Sequence, residues 1–276
     1  MQIKYFPVNS KNSYVVFENN DKIEELGPFM KENNLSRVIF SGFLGYSKSV
    51  LPFNNDIDVI EEISLQCSNI TDLTPLYHLS NIKKISIEEN AVLAHPFDIR
   101  KIAKLTDFFT DDTLKIDGFF DHPTLKQLHI EPKKTKKLDI HNENNILESL
   151  SITNSHILDL SNCKKLTQLK GLYIAYLPKI EDINFILDMP TLTDIEICSC
   201  KKIDNLIATL VQKNNLEKLT LWNQGNLDSI IPLSKLEHLT TLNIWEQTKI
   251  IDGKISFLEE MPNLKKIDIR KYTHYH

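Results

Sequence analysis

The chain has 276 residues, 41% of them apolar and 25% charged, with a net charge of −5. That is a globular composition, too apolar for disorder. The mild acidity argues against a dedicated nucleic-acid binder, and no apolar run approaches the roughly 18 residues that a membrane-spanning helix needs. Of the 32 basic residues only Arg37, Arg100 and Arg270 are arginine, so bidentate guanidinium recognition of phosphate is nearly absent.

The first residues, Met1-Gln-Ile-Lys-Tyr-Phe-Pro, contain no apolar core of a signal peptide and no small-residue cleavage site. The expected location is therefore the cytoplasm, with no membrane partner. Short strands are predicted around Ile3–Phe6 and Tyr14–Phe17. Between them and the repeats, Asn20-Asp21 can open a helix with Ile23, Leu26 and Met30 on one face, strained by Pro28. Residues 1–55 are read as an N-terminal cap, with Leu35-x-x-Val38-x-Phe40 an outlying copy of the pattern that follows.

From Ile60 onward one frame recurs. Ile60-x-x-Ile63-x-Leu65 is followed, at a step of 22, by Ile82-x-x-Ile85-x-Ile87. The frame returns at Leu125, Leu147, Leu169, Leu192, Leu216, Leu239 and Leu264, the steps from Leu147 being 22, 23, 24, 23 and 25. A degenerate copy starts at Leu105 and a shortened one at Thr135-x-x-Leu138-x-Ile140. The period-2 portion predicts a short strand. With the first apolar residue as offset 0, offsets 0, 3 and 5 point inward, and offsets 2, 4, 6 and 7 point out. Ile70, Leu73, Leu76 and Leu79 occupy the same later offsets as Ile157, Leu160, Cys163 and Leu166. Each period is thus one coil of a solenoid, turned back by residues such as Thr74-Pro75.

The stretch Ile60–Asn81 resembles the 22-residue repeat of bacterial internalins, within the leucine-rich-repeat superfamily, and the resemblance spans residues 35–272. It implies an α/β leucine-rich-repeat solenoid: a curved parallel sheet on the concave face, an irregular, 3-10 or short helical convex side, and an N-terminal cap. Residues 56–276 would form the solenoid, packed with the cap as one unit. The family pattern asks for Asn or Cys at offset 8. Asn90 and Cys200 comply, while Ser68, Ser155, Gln224 and Gln247 are polar substitutes.

Function in such a scaffold is read from the outward offsets. The only two tryptophans, Trp222 and Trp245, both fall at offset 6 of consecutive repeats, and Tyr173 and Tyr176 lie at offsets 4 and 7 one repeat before Cys198. Trp and Tyr dominate interface hot spots, so these four are candidate partner-binding residues. A second candidate is acidic: Glu88, Glu89, Asp111, Asp112 and Glu131 carry no base among them, and such a cluster steers a cationic partner. The partner expected is another protein, a basic one, bound by a chain that is monomeric when free.

The other chemistries find little in the sequence. Seven glycines form no phosphate loop, and no hydrolase or metalloprotease motif occurs. Cys67, Cys163, Cys198 and Cys200 read as free structural thiols, and Cys198-x-Cys200 as a pair with one side chain out and one in. His129 and His141, near Asp139 and Glu131, offer a remote enzymatic alternative. His274-Tyr275-His276 reads as a frayed end. No cofactor and no metal is implied. The resemblance leaves two roles, an immunity protein that neutralises a toxin and a host-directed effector that acts by binding.

Overall fold

A coil that closes on itself once per repeat returns the chain to the same point in the same direction. Its strands therefore pair in parallel, with the repeat period as their register. The computed structural model describes residues 1–5, 13–89, 93–111, 113, 115–141 and 146–276. It divides into two units, residues 1–131 and 132–276.

In the first unit the elements run β1 (Gln2–Tyr5), β2 (Ser13–Val16), α1 (Ile23–Glu32), β3 (Arg37–Ser41), β4 (Glu62–Gln66), β5 (Lys84–Glu88), β6 (Phe97–Asp98), β7 (Asp107–Thr110), β8 (Ile116–Asp117) and β9 (Gln127–Ile130). β1 and β2 are antiparallel. From β2 through β3, β4, β5 and β7 to β9 every pairing is parallel, with Ile63 opposite Ile85 and Phe108 opposite Leu128. β6 and β8 make a separate parallel pair. The predicted helix forms, buries Leu26 and Met30, and passes through Pro28 on its exposed side. Its entry is held by Asp21, whose carboxylate accepts from the Glu18 N–H and pairs with the N-terminal amine.

The second unit contains β10 (Ser149–Thr153), β11 (Gly171–Ala175), β12 (Asp194–Cys198), a short helix α2 (Leu206–Leu210), β13 (Lys218–Trp222), β14 (Gly225–Leu227), β15 (Thr241–Trp245), β16 (Thr248–Ile250) and β17 (Lys266–Ile269). β10, β11, β12, β13, β15 and β17 pair in that order, all parallel. β14 and β16 pair beside them.

Offsets 0, 3 and 5 are buried at 0–3% exposure in all the frames starting at Leu147, Leu169, Leu192, Leu216 and Leu239. The frame at Leu264 is different: β17 has β15 on one side, and Ile267 is 43% exposed. Cys163 is fully buried where Leu76 sits in its own coil, and burial pushes its thiol up to about 12. All four cysteines are free and buried.

The coil backs are 3-10 turns, at Thr74–His78, Ser161–Lys165 and Asn184–Asp188 among others. An aspartate just ahead of each of these three opens the turn: Asp72 accepts from the Thr74 N–H at 2.9 Å, Asp159 from Ser161 at 2.6 Å and Asp182 from Asn184 at 2.6 Å. This is Asx-turn chemistry, which satisfies a backbone donor where the chain leaves one stack for another.

Two expectations change. The shortened frame at Thr135 makes no strand. Leu138 and Ile140 are buried, but they belong with the coil backs: a single bridge links Lys137 to Asp159, the residue that opens a 3-10 turn. The C-terminal residues are also tied down. His274 Nε2 lies 2.8 Å from the Ile250 carbonyl, the Tyr275 hydroxyl accepts from the Ile250 N–H, and His276 bonds back to Gly253 and Ile255.

Leu219 has no exposed surface, and nothing polar replaces its contacts if it is trimmed. Leu219→Ala should cost about 2–5 kcal/mol of stability, read from the urea midpoint at unchanged slope.

Candidate functional site

The open face of the second unit is a set of rows, because residues at equal offsets stand opposite one another in the ladder. One row runs Thr153, Ala175, Cys198, Trp222 and Trp245. A parallel row runs Ser151, Tyr173, Glu196, Thr220, Asn243 and Asp268. Trp222 and Trp245 are therefore direct neighbours, with ring centroids 6.2 Å apart and planes at 81°. Both are half-buried. An edge-to-face pair of this kind holds each ring in place while leaving its other side open.

Offset 7 closes β10, β11, β12, β13 and β15 with a left-handed residue. Asn154, Tyr176, Ser199, Asn223 and Glu246 all have φ between 49° and 54°. The N–H groups of Asn154, Tyr176, Ser199 and Asn223 donate to the carbonyls of Ala175, Cys198, Trp222 and Trp245 on the next coil. Tyr176, a bulky residue in that conformation, is 51% exposed, so its ring is offered to solvent at a local conformational cost. Tyr173 is half-buried, and its hydroxyl is pushed up to about 12, first by burial and then by its neighbours Cys198 and Glu196.

The outward rows are not all solvent-facing. Cys198 is 1% exposed and Ala175 0%, and the two stand side by side between Thr153 and Trp222. Cys198 thus keeps its place on the open face but is buried, against the expectation for its offset. Cys200 turns inward, its thiol donating to the Cys198 carbonyl at 3.3 Å. The inward polar ladder at offset 8 is kept by Ser155, Cys200 and Gln224: Ser155 Oγ donates to the Pro132 carbonyl at 2.6 Å, and Gln224 Nε2 to the carbonyls of Ile197 and Trp222, both at 2.8 Å. It slips by one position elsewhere. Ser68 and Gln247 are exposed, and Cys67 and Thr248 take the buried places instead. Asn90 lies outside the described residues.

In the first unit, Glu88 ends β5, and Asp111 and Glu131 follow β7 and β9, the N–H groups of the latter two bonding to Ile87 and Thr110 of the preceding coil. Glu88 accepts from Ser86 Oγ at 2.9 Å and from Gln66 Nε2 at 3.4 Å. Glu89 takes the left-handed turn, with φ 69°. These acids are half-buried rather than freely solvated. Asp112 lies outside the described residues.

The histidines have other companions than those expected. His129 stacks on Phe109 with centroids 4.2 Å apart, and burial holds it below the usual histidine range despite Glu131. Asp139 and His141, in the second unit, form an exposed pair at 2.7 Å. Among the described residues no group of three His, Cys, Asp or Glu side chains is placed to hold a metal ion, and no helix of the described residues is long and apolar enough to cross a membrane.

Two residues that the sequence reading passed over stand out on this face. Glu196, between Tyr173 and Thr220 in the ladder, is half-buried, and burial alone raises its carboxyl above the usual range. Gly171, opposite Asp194, has no side chain and leaves a depression of about 280 Å³ bordered by Ser149, Tyr173, Glu196 and Thr220. A lone acid at an outward offset next to aromatics was the available signal.

Parallel ladders in step with the sequence repeat, 3-10 backs and an inward polar ladder together define a leucine-rich-repeat solenoid with repeats of internalin length. The chain is similar in structure to an internalin, InlF, from Listeria monocytogenes, at 16% identity and a TM-score of 0.56, over 95% of this chain and 82% of that one. It is likewise similar to the functional domain of InlJ from Listeria monocytogenes, which includes a cysteine ladder, at 16% identity and a TM-score of 0.54, over 92% of this chain and 62% of that one. At these identities the likeness is one of fold. No protein-family model and no curated protein sequence matches the chain.

The first unit also carries a pH dependence. His122 is 3% exposed; its Nδ1 accepts from the Thr124 N–H, so Nε2 bears the proton that goes to the carbonyls of Ile99 and Ile102. Burial lowers its pKa, as it does that of His129. The unfolded chain then binds more protons than the folded one below the ordinary value of 6.5. Stability should be fully present above that value and fall as the pH drops below it, and urea midpoints at pH 7.5 and pH 5 should show a smaller drop in His129→Phe.

Proposed function

We propose that this chain is a non-enzymatic binding module that takes a basic protein partner on the open face of its sheet, and that it serves in the cytoplasm as an immunity protein neutralising a toxin. The observation that carries the reading is the Trp222–Trp245 pair. The inward rows are saturated with aliphatic side chains, so two tryptophans held edge to face on the outside are not needed for the core. Rigid aromatic surface of this kind contributes to affinity at low entropic cost.

The acids of the first unit support the basic character of the partner. Glu88, Glu89, Asp111 and Glu131, in a chain of net charge −5, attract a cationic surface over distances longer than a contact. The leucine-rich-repeat fold supports a binding role in general, and its functions lie in the residues displayed on it. Four buried free thiols support a reducing compartment.

Capture from the native cell with the whole chain as bait, followed by co-expression of the captured protein with and without this chain, tests the reading. Survival that depends on this chain is the expected result; a captured protein that is harmless alone overturns the immunity role. With the partner in hand, Trp222→Ala should weaken binding by about 2 kcal/mol or more while leaving the unfolding midpoint nearly unchanged. Reversal of Glu88 and Glu89 to Lys should slow association more than it speeds dissociation. That loss should be largest below about 0.1 M salt, where screening reaches no closer than about 10 Å.

A further inference from the structure

Three acceptors around the aromatic face lack a hydrogen-bond donor. Glu196 makes no hydrogen bond and no ion pair among the described residues, although it is half-buried. Asn243, only 7% exposed, gives its Nδ2 to Thr220 Oγ1 at 3.0 Å and leaves Oδ1 without a partner. Asn223 gives its Nδ2 to Ser199 Oγ at 2.8 Å and also leaves Oδ1 without one. Two amide oxygens and a carboxylate are thus acceptors without a donor, and the carboxylate asks for a charged one.

Three cations of this unit are already engaged. Lys218 pairs with Asp194 at 2.6 Å, Lys170 pairs with Glu148 at 2.9 Å, and Arg270 lies over the Tyr272 ring at 5.7 Å. Beside Glu196 stand Tyr173, its ladder neighbour, and Trp222, its diagonal neighbour across β13. Diagonal positions lie about 7–8 Å apart, within reach of an aromatic side chain. Aromatic faces attract ammonium and guanidinium groups. The depression over Gly171 is lined by Tyr173 and Glu196 and also by the paired Asp194 and Lys218, and it gives a side chain entry beside the carboxylate.

We propose that the surface formed by Gly171, Tyr173, Glu196 and Trp222 is the seat of one cationic side chain, an arginine or a lysine, presented by the protein partner. This rests on the proposed function above and goes further, since it names the group that the aromatic face accepts. The guanidinium or ammonium group lies against Tyr173 and Trp222 with Glu196 as its counter-charge.

The chain's only tryptophans are Trp222 and Trp245, so intrinsic fluorescence reports on this surface directly. The full-length protein would be titrated with the capped tripeptide acetyl-Gly-Arg-Gly-amide, its lysine counterpart, and the neutral citrulline counterpart. A saturable change in emission with the arginine or lysine peptide is expected. The citrulline peptide, or the arginine peptide on Glu196→Gln, should bind about tenfold more weakly. Gly171→Lys provides a second variant. A Cβ at this position meets only Ser149 Oγ at 3.7 Å, so the fold tolerates it, and the built-in cation should abolish the response to the peptide.

Equal binding of the arginine and citrulline peptides overturns the proposal, as does an unchanged response in Glu196→Gln, or no emission change with any peptide. The captured partner separates this failure from that of the wider reading. A partner weakened by Trp222→Ala but not by Glu196→Gln keeps the aromatic docking surface and removes the cationic seat. A partner indifferent to both removes both.

Discussion

A single coil has an apolar wedge that it cannot bury by itself, and the rest of the structure depends on this. The wedge is shielded only when another coil lies on each side, so inward residues repeat with the period of the chain and strands pair in parallel. Once Leu150, Leu172, Ile195, Leu219 and Leu242 are fixed in one row, the outward residues are fixed in rows as well. The open face is therefore a by-product of core packing, and this is what lets Trp222 and Trp245, from separate coils, meet on one surface.

The strands were legible because two constraints coincide at the front of a coil: period-2 burial, and a step that stays nearly constant from one frame to the next. The back was less legible because apolar residues alone do not say which half of a coil they belong to. Leu138 and Ile140 have strand-like spacing, yet they run alongside the back of the following coil, where Lys137 bridges Asp159. The missing information was polar. Asp72, Asp159 and Asp182 open their 3-10 turns, and Asp159 does so one repeat period after Lys137. Aspartate read as a turn opener would have put the shortened frame on the back.

The candidate surface was legible in part. Trp222 and Trp245 share an offset, so their adjacency followed from the repeat alone. Glu196 did not emerge because its meaning depends on what its neighbours leave undone. That Lys218 is taken by Asp194, and that burial surrounds the carboxylate without giving it a partner, are facts of three dimensions. Cys198 shows the same limit from the other direction. Its offset points it outward, yet it is buried beside Trp222.

The exposed Ile267 of β17 bears on how the second unit comes apart. In a stack held by contacts between adjacent coils, opening is a one-dimensional process: each coil's stability is its own plus a coupling to the coil on either side. β17 is coupled through β15 alone, so its amides should exchange with solvent first and exchange should proceed inward from there, with protection rising toward β12 and β11. The aromatic pair stands at the second and third strands from that edge. A ligand held against it clamps two coils together, and the coupling between them then includes the ligand's own binding free energy.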